Sequence, residues 1–406
     1  MTSNMNRAAT VREYATGSHP VVMIGRFVLL VCCLVLSGAP FTPAWGQGSP
    51  PNIVLFFVDD MGWADWERDA TNNPTGGLLY ETPNMLALAQ QSVQLRNAYS
   101  SAPVCTPTRS ALMTGMTPVR NGMTQLTHKV TNHQTSTMRD TLIAGNNNSV
   151  RWVENLPLGN TLGEVLKTGG YQNGFFGKWH LADTNAETAA NPLNAGFDVN
   201  VGGDISGSPN GVGGFFAGGD GAWNLPGLRT SDGASYASDK YLTDVLTEKA
   251  EEFIETSVSN NDHFFVMMSH YDVHTPNSVP GPGDEGYADY QAFIAKKNQL
   301  ISQGVNLEGH SNPKYAWKLK KMDDSLGQLM SRLDDPNGDG MTNDSVRNNT
   351  VVIFASDNGG ESSSTSNNPL RSVKGSSYEG GVRTPLLFSS NLTSLLSSNW
   401  MTWYNV

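Results

Sequence analysis

Asn52-Ile-Val-Leu-Phe-Phe-Val58, followed at once by Asp59-Asp60, is the stretch on which the fold turns. The run is of strand length and apolar from Ile53 onward, with no alternation of polar residues. It suits a strand covered on both faces, as in a parallel sheet. Runs of the same kind are Gly174-Phe-Phe-Gly177, His263 to Met268, Thr350 to Ala355 and Pro385 to Phe388. Helical patterns fall between them: Pro83 to Gln91 behind Thr82 as N-cap, Leu162 to Lys167 stopped by Gly169-Gly170, Asp239 to Thr256, and Tyr315 to Leu333. Strands alternating with helices predict an α/β fold with a mainly parallel central sheet and helices on both faces. No internal repeat is evident, and the glycine-rich stretch from Val201 to Gly227 reads as a long loop near a site mouth.

In such sheets ligands bind beyond the carboxyl ends of the strands. The residues that follow the apolar runs are Asp59-Asp60, Lys178-Trp179-His180, Ser269-His270-Tyr271-Asp272-Val273-His274 and Ser356-Asp357-Asn358. Asp59, Asp60, Asp357 and Asn358 offer hard oxygen ligands, which suit calcium or magnesium and suit zinc poorly. Adjacent acids after a single strand normally make a turn or a cap. Two such sets at equivalent strand ends point instead to a divalent cation. Lys178, His180 and His274 bring positive charge and proton transfer to an anionic group held there. Taken singly, the lysine reads as a surface residue and the histidines as hydrogen-bonded structural ones.

The chain has 406 residues and a net charge of −11. An acidic balance argues against nucleic acid or anionic lipid as the main partner, while a polyanion still binds where positive charge is concentrated. At the N-terminus, Arg26 precedes an apolar run from Phe27 to Leu36 that gives way to small and turn-forming residues up to Ala44-Trp45-Gly46. This is the build of a signal peptide spanning residues 1–46, so the mature protein is expected to be exported, periplasmic or secreted. The run is too short for a membrane span, and no later stretch supplies one.

Cys32 and Cys33 would leave with the leader, so Cys105 is a lone cysteine in an exported chain. By itself such a residue reads as a small buried hydrophobe. The pattern from Thr108 to Thr114, ended by Gly115, places Cys105 near a helix N-terminus, where negative charge is favoured. Pro107 is acceptable in a first turn because its missing amide proton costs nothing there.

Pro103-Val-Cys105-Thr-Pro107-Thr-Arg109-Ser-Ala-Leu-Met-Thr114-Gly115 resembles the maturation signature of type I, formylglycine-dependent sulfatases. Gly170-Tyr-Gln-Asn-Gly-Phe-Phe-Gly177-Lys178-Trp179-His180 resembles that family's second signature, with Asn173 where a hydroxyl residue is more usual. Asp59-Asp60, Asp357-Asn358-Gly359 and Lys374-Gly-Ser-Ser-Tyr-Glu379-Gly-Gly-Val-Arg383-Thr-Pro385 extend the likeness in order across most of residues 51 to 388.

The resemblance implies an alkaline phosphatase-like fold and a sulfuric ester hydrolase in which a maturation enzyme oxidises Cys105 to formylglycine. It implies one calcium ion bound by Asp59, Asp60, Asp357, Asn358 and the modified Cys105. Arg109 and Lys178 would orient the formylglycine hydrate, and His180 would take its proton as sulfate leaves. His274 would protonate the leaving alcohol, and Lys374 would bind sulfate oxygens. His270 is kept as structural, and Glu379 with Arg383 as an ion pair bracing the loop under Lys374. The expected substrate is a sulfated carbohydrate or aryl sulfate. A phosphonate or phosphate ester hydrolase on the same scaffold and an inactive protein that binds sulfated glycans are the alternatives.

The catalytic domain is expected over residues 51–390. Asn391 to Val406 is unlike the small antiparallel subdomain into which sulfatases of this kind continue, so that subdomain is expected to be missing or truncated. Asp335-Pro-Asn-Gly-Asp339-Gly340-Met-Thr-Asn-Asp344 resembles a calcium loop, but Val346 sits where the bidentate glutamate would be, and the stretch reads as a polar turn.

Overall fold

The computed structural model describes residues 50–124, 126, 156–181, 191–209, 214–217, 223, 225–228 and 236–390. The leader expected at 1–46 and the segment 391–406 lie outside the described residues. The strands are β1 (Asn52–Val58), β2 (Val93–Gln94), β3 (Gln172–Gly177), β4 (Val199–Val201), β5 (Phe264–Ser269), β6 (Thr350–Ser356) and β7 (Leu386–Ser390). They form one seven-stranded sheet in the order β2-β7-β6-β1-β5-β3-β4. The pairs from β6 through β1, β5 and β3 to β4 are parallel, and β7 turns back antiparallel to β6 with β2 antiparallel beyond it.

Strand β1 lies at the centre of the sheet because its residues have no wet side to offer. Successive side chains point to opposite faces, and both faces are covered. Val54, Phe56 and Val58 join Val266, Met268, Val352 and Phe354 in one core cluster, while Leu55 and Phe57 join Phe175, Phe265 and Met267 in another.

The longer helices are α1 (Pro83–Gln90), α2 (Cys105–Thr114), α3 (Leu162–Thr168), α4 (Leu242–Ser259), α5 (Tyr287–Ser302) and α6 (Pro313–Asp334). The apolar stripes of α4 and α6 complete the first cluster through Val245, Leu246, Ile254, Leu319, Met322 and Leu326. Met113 of α2 and Leu162 and Leu166 of α3 pack into the second. Among the described residues, no helix is long and apolar enough to cross a membrane.

The start of α1 departs from expectation. The Thr82 hydroxyl accepts from the Glu67 amide instead of capping the helix. The buried carboxylate of Asp323 on α6 does the capping, accepting from the amides of Asn84 at 3.0 Å and Met85 at 2.7 Å. Asp323→Ala is therefore expected to leave both donors orphaned in the interior and to cost about 2–4 kcal/mol. A urea titration should show the midpoint falling with the slope unchanged. An unmoved midpoint would mean that water replaces the carboxylate at no cost.

The expected polar turn after α6 is present. The Asp335 carboxylate accepts from the amides of Gly338, Asp339 and Gly340 at 2.9, 3.2 and 2.8 Å, so its oxygens are committed to the turn.

Candidate active site

The register of the central strands sets the site. Val58 is level with Ser356, and Ser269 is level with both Phe57 and Gly177. The ladder runs on past the strand ends: the Asp357 amide donates to Val58 O at 3.1 Å, Lys178 N to Ser269 O at 2.7 Å, and Asp59 N to Asp272 O at 2.9 Å. Residues that follow separate strands are thereby locked side by side. Gly177, with φ of 108°, makes the approach possible on the β3 side, because a Cβ there would lie 1.9 Å from Ser269 O.

After β1 the chain takes a left-handed turn at Asp60, with φ of 61°. This breaks the strand alternation that would send Asp59 and Asp60 to opposite faces, and both carboxylates enter one cluster. Oxygens of Asp59, Asp60 and Asp357 and the sulfur of Cys105 all lie within 4.8 Å of one another, and every one of these residues is buried.

Cys105 is the first residue of α2, with its Sγ 3.5 Å from Asp59 Oδ1 and 4.0 Å from Asp60 Oδ1. Arg109, one turn further on, donates from Nε to Asp357 Oδ2 at 2.9 Å and from one terminal nitrogen to Lys178 O and Ser269 Oγ at 2.8 and 2.7 Å. Its other terminal nitrogen lies 3.5 Å from Asp59 Oδ1. The ammonium groups of Lys178 and Lys374 reach Asp59 and Asp60 respectively, each at 2.6 Å.

His274 Nε2 lies 3.5 Å from Asp60 Oδ2. His180 is buried on the turn after β3, where its carbonyl accepts from the hydroxyl of Thr106, the neighbour of Cys105, at 3.1 Å. The backbone of Gly207 packs so closely on the His180 ring that a Cβ would come within 2.5 Å of it, so this part of the glycine-rich loop covers the site.

Burial opposes every charge in the cluster, and the neighbours decide the outcome. It acts to raise the Asp59 carboxyl, but Lys178 and His274 bring it down to about 2. Burial likewise acts to raise Asp60, and His274 and Lys374 lower it below its ordinary value. Asp357 is raised, first by burial and then by the adjacent Asp59. Burial lowers His274 against the opposing pull of Asp60 and Asp59.

The donor set fits a hard divalent cation. Three carboxylates converge, and the amide of Asn358 adds a fourth oxygen. Its Nδ2 donates to Asp60 Oδ1 at 2.7 Å, while its Oδ1 is buried without a hydrogen-bond partner. A buried orphan oxygen beside converging carboxylates suits a hard, oxygen-preferring cation.

Other expected residues take supporting places. His270 packs on Phe56 with its Nε2 3.0 Å from Ser325 Oγ, and burial brings its pKa down to about 3, so it is a neutral core residue. Glu379 and Arg383 form their ion pair at 3.2 Å, with Tyr99 donating to the glutamate and Trp63 beneath the guanidinium. The sequence places Ser269 and Asp272 at this edge without showing their roles, and it does not single out Lys318: Ser269 bridges Arg109 to the Lys178 carbonyl, and Asp272 pairs with the buried Lys318 behind His274. A lysine in phase with the apolar stripe of α6 was the available signal.

A mainly parallel sheet that gathers acids, cations and a helix N-terminus at its carboxyl edge defines an α/β protein of the alkaline phosphatase-like fold. Among solved structures the chain is similar to Ps i-CgsB in complex with k-i-k-neocarrahexaose, with a TM-score of 0.60 and 26% identity over 85% of this chain and 66% of that one. The chain belongs to the sulfatase family, whose sequence profile matches residues 51–395.

Relatives include a sulfatase of Formosa agariphila, 32% identical over 83% of this chain and 63% of its own length. The N-acetylgalactosamine-6-sulfatase of Mus musculus is 31% identical over 87% of this chain and 60% of its own. The chain thus spans less than two thirds of the length of these relatives.

Proposed function

We propose that the chain hydrolyses sulfate esters of a sulfated carbohydrate, with residues 51–390 as the catalytic domain and a nucleophile made from Cys105. The observation that carries this reading is the setting of Cys105, at a helix N-terminus and buried among Asp59, Asp60 and Asp357 with Arg109, Lys178 and Lys374 around them. A thiol there is a poor nucleophile. Burial pushes its pKa up, and Asp59 and Asp357 add to the rise against the pull of Lys178 and Lys374, and soft sulfur is a poor match for a cluster of hard oxygen donors. An oxygen nucleophile at the same position answers both the chemistry and the hard-donor cluster.

Conversion of residue 105 to formylglycine supplies a hydrated aldehyde, one hydroxyl of which attacks sulfur as the alcohol leaves, after which the other loses its proton and the aldehyde re-forms as sulfate is expelled. Asp59, Asp60, Asp357, Asn358 and residue 105 would hold a calcium ion, which would supply Lewis acidity toward a sulfate oxygen. Arg109 and Lys178 orient the diol, and His180 accepts a proton from its second hydroxyl during sulfate release. Lys374 holds the anionic sulfate oxygens, and His274 gives a proton to the leaving alcohol. The names of the N-acetylgalactosamine-6-sulfatases and the oligosaccharide bound to the solved relative support a carbohydrate substrate. Export and a formylglycine-generating maturation enzyme as partner complete the reading.

The test is co-expression with a maturation enzyme, mass spectrometry of the peptide around Cys105, and turnover of nitrophenyl sulfate against nitrophenyl phosphate. Formylglycine at 105 with sulfate turnover dominant is the expected result. Dominant phosphate turnover would replace it with a phosphate or phosphonate ester hydrolase. An unmodified thiol with sulfated-glycan binding and no turnover would leave a binding protein.

A further inference from the structure

Lys318 lies on the apolar stripe of α6, between Tyr315 and Met322, with no exposed surface. Its ammonium donates to the carbonyl oxygens of His274 and Pro276, the latter at 3.0 Å, and lies 3.3 Å from Asp272 Oδ1. The Phe215 ring closes the remaining side, 3.7 Å from Nζ. Asp272 is itself fixed by the hydroxyls of Tyr241 and Thr243, and its main chain pairs with that of Asp59. Among the described residues, the hydrogen-bond and ion-pair partners of this lysine thus belong to one segment, residues 272–276, seen from behind.

The front of that segment carries His274. Its Nδ1 lies 2.6 Å from Thr275 O, and a carbonyl only accepts, so Nδ1 holds a proton and Nε2 is the nitrogen that exchanges one. A buried ion pair is a poor way to stabilise a fold, since apolar side chains of similar volume commonly do as well or better. The geometry points to Lys318 as a positioning residue, neutralised by Asp272, that ties down the carbonyls on either side of Thr275 and so aims His274 Nε2 at the leaving oxygen. This rests on the sulfatase reading above. In the step concerned an oxygen of the hydrate at residue 105 bonds to sulfur as the bond from sulfur to the leaving oxygen breaks, the electron pair of the broken bond stays on the leaving oxygen, and that oxygen takes its proton from Nε2.

The consequence lies in leaving-group dependence. Nitrophenolate departs without a proton, whereas a poorer leaving group needs the aimed acid. The experiment uses the full matured chain with calcium and aryl sulfates from nitrophenyl to methoxyphenyl. The variants are Lys318→Met, the charge-neutral double variant Asp272→Asn/Lys318→Met, and His274→Ala. Lys318→Met and the double variant are each expected to lose about 10- to 100-fold more kcat on the methoxyphenyl ester than on the nitrophenyl ester, in the same sense as His274→Ala.

Equal losses on both esters, or none, would overturn the inference. A steep dependence in His274→Ala alone would overturn it while sparing the acid assignment. A wild-type dependence in His274→Ala would overturn both. Lys318→Met strands a buried carboxylate, so its folding is judged beside the double variant by thermal melting. If the double variant also fails to fold, the pair supports the fold and the positioning role is overturned.

Discussion

Cys105→Ala is expected to lower kcat/KM for a sulfate ester by about 10⁴-fold or more, with the melting temperature nearly unmoved. The size of the loss follows from what surrounds the residue. Arg109, Lys178 and Lys374 are spread around the carboxylate cluster and remain after the substitution, so substrate binding and charge stabilisation survive in part. The step that fails is bond formation to sulfur, for which no other group in the cluster is a nucleophile. The fold survives because only one buried sulfur atom is lost from the first residue of α2.

Cys105→Ser separates the two halves of the chemistry. A serine hydroxyl at this position still attacks, but it lacks the second oxygen that expels sulfate. The expected result is a burst of product followed by arrest, with a sulfated serine peptide detectable by mass spectrometry. Steady turnover by the serine variant would remove the case for a hydrated aldehyde.

The central sheet was legible because β1, β5 and β6 are covered on both faces and carry polar residues only at their ends, where they do not blur the pattern. The site was legible for a related reason. Parallel strands in register end level, so Asp59, Lys178, His270 and Asp357 are brought to one edge by the same hydrogen bonds that make the sheet.

Other elements carried no local signal. Strands β2 and β4 are too short to show a period. Helix α5 buries Phe293 and otherwise runs over the surface, so it has no apolar stripe to announce it. The cap of α1 comes from Asp323, more than two hundred residues away, and no rule about neighbouring residues finds it. Lys318 differs from these, because its position among Tyr315, Leu319 and Met322 marks it as buried, and a buried lysine demands a partner.

Chelation of calcium is expected to lower turnover by about 10³-fold or more while costing only about 3 kcal/mol of stability, the amount that an ion held at a hundredfold excess over its Kd contributes. Two properties of the same cluster set this asymmetry. Converging carboxylates of Asp59, Asp60 and Asp357 repel one another in a buried setting, which argues for collapse when the cation is withdrawn. Lys178 and Lys374, however, already reach Asp59 and Asp60 at 2.6 Å, and Arg109 forks onto Asp357. These cations neutralise the acids without help, so the fold holds.

Turnover cannot be protected in that way. A lysine committed to a carboxylate is withdrawn from the sulfate oxygens it would otherwise hold, and the Lewis acid is gone as well. Melting curves and nitrophenyl sulfate rates, measured on the matured chain before chelation, after it and after calcium is restored, test both halves. Asp357→Asn should reduce the calcium-dependent part of the melting shift. Rates and melting that ignore chelation would refute the oxygen-donor reading of this cluster. A collapse of the fold on chelation would show instead that Lys178, Lys374 and Arg109 are too few or too constrained to neutralise it.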